Sequence, residues 1–222
     1  MRLLIVIVAV VAALLSFIAN LPLRWVLPDG IGTASGTVWN GQVSGVPLLG
    51  QVRLKGGLGG MNVSTPPGTV TLSADVTPRS VSDLALVMPV AALPTSDGRL
   101  SGLAGTFGLR VDDARLADGR CAEASGTART DVLAANGARF GWTGPELAGP
   151  VDCVDGRLRV RLSGDNPGAE VEAVTTTGMD GTYESEITVR ADDPAAGNAL
   201  VLFGFSRSSA GEYRLSERGR WR

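Results

Sequence analysis

The chain has 222 residues and a mass of 22.9 kDa, enough for one domain of ordinary size or two small ones, with 20 basic residues, 22 acidic residues and no histidine. Without histidine a Ser-His-Asp triad, a Cys-His dyad and any zinc site built on imidazole are excluded; Lys55 is the single lysine, and the arginines are scattered among acids, which argues against a nucleic-acid stripe. The 30 glycines and 12 prolines in a chain that is 44% hydrophobic predict many short elements joined by tight turns, a mainly β composition.

The first element is the run Leu3 to Leu21, where Ser16 and Asn20 are the polar side chains and no charge occurs. As one helix at about 1.5 Å per residue it reaches roughly 28 Å, close to the ~30 Å hydrocarbon core, so it is long enough to span a bilayer. Arg2 precedes it and Arg24 and Trp25 follow, a weak bias that leaves the short N-terminus in the cytoplasm and exports the rest. A cleaved signal peptide is the alternative, but the apolar run exceeds the usual length and Phe17 would occupy the −3 position of a cut after Ala19. The preferred division is a cytoplasmic tip and transmembrane anchor over 1–24 and an exported β domain over 25–222.

Beyond the anchor, Ser35-Gly36-Thr37-Val38-Trp39-Asn40-Gly41 predicts a short Thr-Val-Trp strand between glycine bends, read either as a strand just beyond the membrane that anchors the sheet or as a hairpin with Trp39 in the core. Val70, Leu72, Ala74 and Val76 then alternate with polar residues, as do Phe107, Leu109 and Val111, and Leu158, Val160 and Leu162. Tyr183, Ile187 and Val189 continue the pattern, and Tyr213 and Leu215 open a last strand. Asn40-Gly41, Asp97-Gly98, Asn136-Gly137, Asp155-Gly156 and Asp180-Gly181 are read as positive-φ turns between strands, so the expected fold is a curved, groove-like antiparallel sheet with one apolar and one wet face. Arg157, Arg159 and Arg161 are expected on the wet face, turned to water or an acidic partner.

Two segments read as short helices. Ser80, with Asp83 in a capping-box-like position, leads Val81, Leu84, Ala85 and Met88 to Pro89, and Asp193-Pro194 opens a second helix that reaches Leu202 before Gly204. They either cover the sheet's apolar face or are ordinary loop helices. Ala34-Ser35-Gly36-Thr37 recurs as Ala124-Ser125-Gly126-Thr127, a weak echo that hints at two related halves, 25–98 and 99–222.

Cys121 and Cys153, each beside an Asp-Gly turn, are candidates for a disulfide in an oxidising compartment, with two buried thiols as the alternative; closure of the loop between them is worth about 3–4 kcal/mol in the chain-entropy model. No catalytic, cofactor-binding or metal-ligating set is read from the residues. Gly57-Leu58-Gly59-Gly60 lacks a phosphate-loop spacing, and Asp112-Asp113 and Asp192-Asp193 read as solvated turns. Lys55 leaves one conceivable base for a serine hydrolase.

An N-terminal apolar helix ending in Leu21-Pro22, followed by Gly36-Thr37-Val38-Trp39-Asn40-Gly41, resembles the N protein family of bacterial type II secretion systems, also called general secretion pathway protein N. Leu84 to Leu93 with Met88-Pro89, and Gly126 to Trp142, are similar to later segments of that family. The resemblance implies a single-pass inner-membrane subunit whose periplasmic domain contacts other secretion subunits, with Gly36, Thr37, Val38, Trp39, Asn40 and Gly41 as the interaction candidate. It implies no catalytic residues and no cofactor. A second expectation is that the apolar face holds lipid or another hydrophobic ligand, as in membrane-anchored β-groove proteins.

Overall fold

The computed structural model describes residues 20–25, 32–57, 59–92, 102–209 and 211–220. Alternation of apolar and polar side chains with frequent turn residues produces fourteen strands: β1 (Thr33–Gly36), β2 (Asn40–Val46), β3 (Gly50–Gly57), β4 (Gly60–Ser64), β5 (Thr71–Val76), β6 (Ser80–Pro89), β7 (Thr106–Ala117), β8 (Arg120–Thr130), β9 (Leu147–Val154), β10 (Arg157–Asn166), β11 (Ala169–Thr177), β12 (Thr182–Ala191), β13 (Ser206–Ser209) and β14 (Glu212–Arg220). They form one open antiparallel sheet whose spatial order follows the sequence to β12 and then runs β14, β13. Among the described residues two short α-helices interrupt the strands, α1 (Val132–Gly137) and α2 (Pro194–Leu202). Among the described residues no helix is long and apolar enough to cross a membrane. The expected span Leu3–Leu21 lies, apart from its last two residues, outside them.

One apolar face runs across the sheet through directly opposed residues. Leu72 faces Leu86, which faces Leu109, then Ala128 and Gly149. On the following strands Leu162 faces Ala173, Ile187 and Leu215. Burial along this face falls into three clusters, around Val43, Val52 and Leu54, around Val111, Ala128 and Val151, and around Val171, Val189 and Tyr213. In the last, Ala196 and Leu200 of α2 supply the cover. In the middle of the sheet neighbouring strands approach closely at two glycines. A Cβ at Gly126 would land on the Arg110 carbonyl oxygen and one at Gly149 on that of Arg161, so glycine at these two strand positions is what lets neighbouring backbones close together.

Antiparallel order puts alternate connections at one end of the sheet. The bends at 37–39, 77–79, 118–119, 155–156 and 178–181 share the end at which residues 20–25 arrive, here called the inlet end. The turns at 47–49, 65–70 and 167–168, together with α1 and α2, share the far end.

Several expectations change in the structure. Ser80–Pro89 is strand β6 and not a helix. Asp83 takes φ +50° beside a register shift against β5, and this bulge breaks the alternation, so Val81, Leu84 and Met88 imitate helical spacing while Leu84, Leu86 and Met88 follow the strand period. Asn136-Gly137 ends α1 instead of turning between strands, and Asn40-Gly41 opens β2 with neither residue at positive φ. Asp97-Gly98 lies outside the described residues. Asp155-Gly156 (φ +53° and +78°) and Gly181 (φ +81°) make the expected turns, and Asp118-Gly119 (φ +50° and +70°) makes one more. Pro194 begins α2 as its sequence predicts. The two Ala-Ser-Gly-Thr segments serve different ends: Gly36, at φ +81°, closes β1, whereas Gly126 lies inside β8.

Candidate functional site

Local hydrogen bonding explains why Thr37, Val38 and Trp39 form the bend between β1 and β2 and not the expected strand. The Val38 amide donates to the Leu21 carbonyl (3.1 Å), Thr37 makes an isolated bridge to Pro22, and the Trp39 carbonyl accepts from the Gly56 amide of β3 (2.8 Å). The Thr37 amide donates to the Asn40 carbonyl (3.1 Å), and the Asn40 amide returns a bond to Thr37 Oγ1 (3.2 Å). Backbone groups that a strand would spend on a ladder are spent on the incoming segment and on β3.

This bend grips the segment that follows the apolar run. Leu23, 2% exposed, packs with Val43, Val52 and Leu54, while the next-door Trp25 is 61% exposed. A Cβ at Gly41 would come within 2.5 Å of Leu23 Cδ2, so glycine here makes room for the leucine. Gly36–Gly41 therefore fastens residues 20–25 to the first strands, with β1 lying at the edge of the sheet. Trp39 is half-buried in this arrangement.

Cys121 and Cys153 lie about eighty residues further on and belong to a separate locus. Their Cα atoms are 5.6 Å apart and the two are disulfide-bonded, tying β8 to β9 beside the 155–156 turn. The Cys121 amide also donates to the Gly156 carbonyl (3.0 Å), which continues the β8–β9 pairing past the bridge. Nothing brings this pair together with Gly36–Gly41.

The outer face of β9 to β14 is a lattice of opposed charges. Arg159 clasps Asp152 in a two-pronged pair (Nε–Oδ1 2.8 Å, Nη2–Oδ2 2.5 Å), Arg157 donates to the Thr176 carbonyl (3.5 Å), and Arg161 is exposed. The expected acidic partner of these arginines is thus, for Arg159, a carboxylate of the same sheet. Arg190 bridges Glu170 (3.0 Å) and Glu212 (3.5 Å), and Arg218 meets Glu184 (2.6 Å). Such exposed pairs add little stability singly, but placed directly across strands they favour one register.

The hydrogen bond from Arg159 holds the Asp152 carboxyl below the usual carboxylate range, against a smaller opposing effect of burial. A depressed folded-state pKa means that the pair's contribution is present above the unfolded aspartate value of about 3.9 and fades as pH falls through the folded value. Thermal unfolding measured from pH 5 down to about pH 2.5 is expected to show a loss of stability in the wild-type chain that is smaller in Asp152→Asn. Equal losses in both would remove this pair from the acid response.

Asn136 was not singled out by its sequence context, an Ala-Ala-Asn-Gly run that reads as a turn. It is buried at 8% exposure and clamps the far end: its Nδ2 donates to the Ala104 carbonyl (2.8 Å) and its Oδ1 accepts from the Ala104 amide (3.0 Å). Lys55 stands exposed on β3 opposite Asn40 and Asn62. Among the described residues no group of His, Cys, Asp and Glu is arranged to hold a metal ion.

Comparison with known proteins adds one match. No curated protein and no solved structure matches the chain. The family model for type II secretion system (T2SS), protein N, matches residues 30–216, from just before β1 into β14. With that match covering the sheet-forming chain except the last residues of β14, the protein belongs to the type II secretion system protein N family and is a component of that secretion machinery.

Proposed function

We propose that the chain is a single-pass inner-membrane subunit, anchored by 1–24 with its N-terminus in the cytoplasm and its β domain in the periplasm, that serves protein export by contacting other secretion subunits. The observation that carries this reading is the Gly36–Gly41 bend, which joins the segment leaving the apolar run to a short edge strand of an open sheet. Edge strands present unpaired backbone groups to which a partner strand can add. A photo-crosslinking residue at Ser35 on β1 or at Trp39, introduced in cells that carry the whole machine, is expected to trap another secretion subunit. Trapping of none, under conditions that capture known subunit pairs, would overturn the interaction role at this edge.

A second reading is supported by the apolar face itself. Leu72, Leu86 and Leu109 remain half-buried, while the two helices among the described residues are placed toward the other half of the sheet. A lipid or other hydrophobic ligand lying on this row would complete its burial. Labelling by a photoreactive acyl probe, mapped to β5, β6 and β7, would support this reading; absence of labelling there would end it.

A further inference from the structure

The two ends of the sheet differ in charge. At the inlet end Arg24, Arg79, Arg120, Arg157 and Arg220 occupy the bends or the positions beside them, against Asp118, Asp155 and Asp180. Asp180 is already engaged, accepting from the Thr182 amide (3.1 Å) and hydroxyl (2.7 Å) and lying 3.6 Å from Arg220. At the far end the balance reverses: Glu212 is paired with Arg190 (3.5 Å) and Arg214 (3.6 Å), and Asp131, Glu146, Asp192 and Asp193 in the connections there stand against Arg139 among the described residues. Arg24, Arg79 and Arg120 are exposed.

Position gives this asymmetry a meaning. The apolar run ends at Leu21, and Leu23 is already locked into the sheet, so no more than about 7 Å of chain separates the two. If 3–21 crosses a bilayer, the inlet end must lie at its surface. Strands such as β12, ten residues long, would then carry the far end about 33 Å away. Exposed arginines close to anionic headgroups are attracted within a Debye length, while carboxylates at the other end are kept from the same surface. Trp25, 61% exposed, adds an indole suited to the headgroup layer.

We propose that the inlet end of the sheet rests on the anionic headgroup surface of the membrane that the apolar run crosses, with the strands standing away from it. The proposal builds on the anchor reading above. Its occupant is the lipid surface and not a protein.

The test uses the full chain in lipid nanodiscs, either of neutral phosphatidylcholine or with phosphatidylglycerol added. Backbone amide exchange is followed in the bends at 77–79, 118–119, 155–156 and 178–181, and in the far turns at 47–49 and 167–168. The inlet bends are expected to exchange roughly fivefold more slowly in the anionic discs, the far turns equally in both, and about 0.5 M salt to erase the difference. Arg79→Ser with Arg120→Ser should reduce the effect, whereas Arg161→Ser, which removes a charge from the outer face, should not. Equal exchange at both ends, protection of the far end, or protection that arises only when another secretion subunit is added would overturn the proposal and leave the anchor intact. Extraction of the chain from membranes at alkaline pH would overturn the anchor reading and the proposal with it.

Discussion

Replacing Cys121 and Cys153 together by serine is expected to lower the unfolding free energy by about 2–4 kcal/mol, the range for losing a native cross-link that closes a loop of this size. The loop contains the β8 strand, α1 and most of β9, including the far-end clamp made by Asn136, so an open chain must order all of these without the tether. Cys121 is also 4% exposed, so at that position a serine hydroxyl would replace a buried sulfur. The effect should be regional: amide-exchange protection should fall most between Cys121 and Leu162 and least in β1 to β3. Denaturant unfolding gives the size and exchange gives the place. A loss spread evenly over the sheet would contradict the account, as would two freely alkylated thiols in protein trapped from intact cells, which would also contradict export of the domain.

Leu23→Ala should weaken the first strands of the sheet by a comparable amount. A fully enclosed leucine cut back to alanine loses its transfer free energy and leaves a cavity, together about 2–4 kcal/mol, and Leu23→Met, which keeps the volume, should cost less than about 1.5 kcal/mol. The cavity would lie among Val43, Val52 and Leu54, so exchange should quicken in β1 to β3 while β9 to β12 stay protected. Because the two loci share no partners, the triple variant should show the sum of the separate losses to within about 0.5 kcal/mol. Loss of the Leu21–Val38 and Pro22–Thr37 contacts in the same variant would also loosen the apolar run from the sheet, and crosslinking from Ser35 should become weaker or less selective.

Much of the sheet was legible because its determinants are local. Arg157 to Leu162 alternate strictly and follow Asp155-Gly156, and both the strand and its turn form as read. Asp193-Pro194 carries its own helix start and Pro194 indeed opens α2. Where a residue's conformation depends on a distant neighbour, the reading failed. Thr37 to Trp39 bend because Leu21 and Gly56 take their hydrogen bonds, and neither is visible from within the motif. In Ser80–Pro89 one positive-φ aspartate shifts the phase of a strand whose partners lie on β5 and β7. Glycines were read as turn formers, but Gly126 and Gly149 act inside strands, and only the close approach of the Arg110 and Arg161 carbonyls in the assembled sheet shows why. At the candidate site the motif was legible as distinctive, while its grip on Leu23 required the fold.

The order of strands has a consequence for how the molecule is made. From β1 to β12 each strand pairs with its immediate predecessor, so every pairing joins neighbouring segments of the chain and the loops closed in folding are short for a β protein. A chain delivered from its N-terminus can therefore add strands one at a time, each new hairpin docking on an edge already formed. The C-terminal end departs from this rule, because β12 pairs with β14 and β13 lies outside it. Until the final residues arrive, β12 remains an open edge, and truncation before Glu212 would leave that edge exposed for intermolecular pairing.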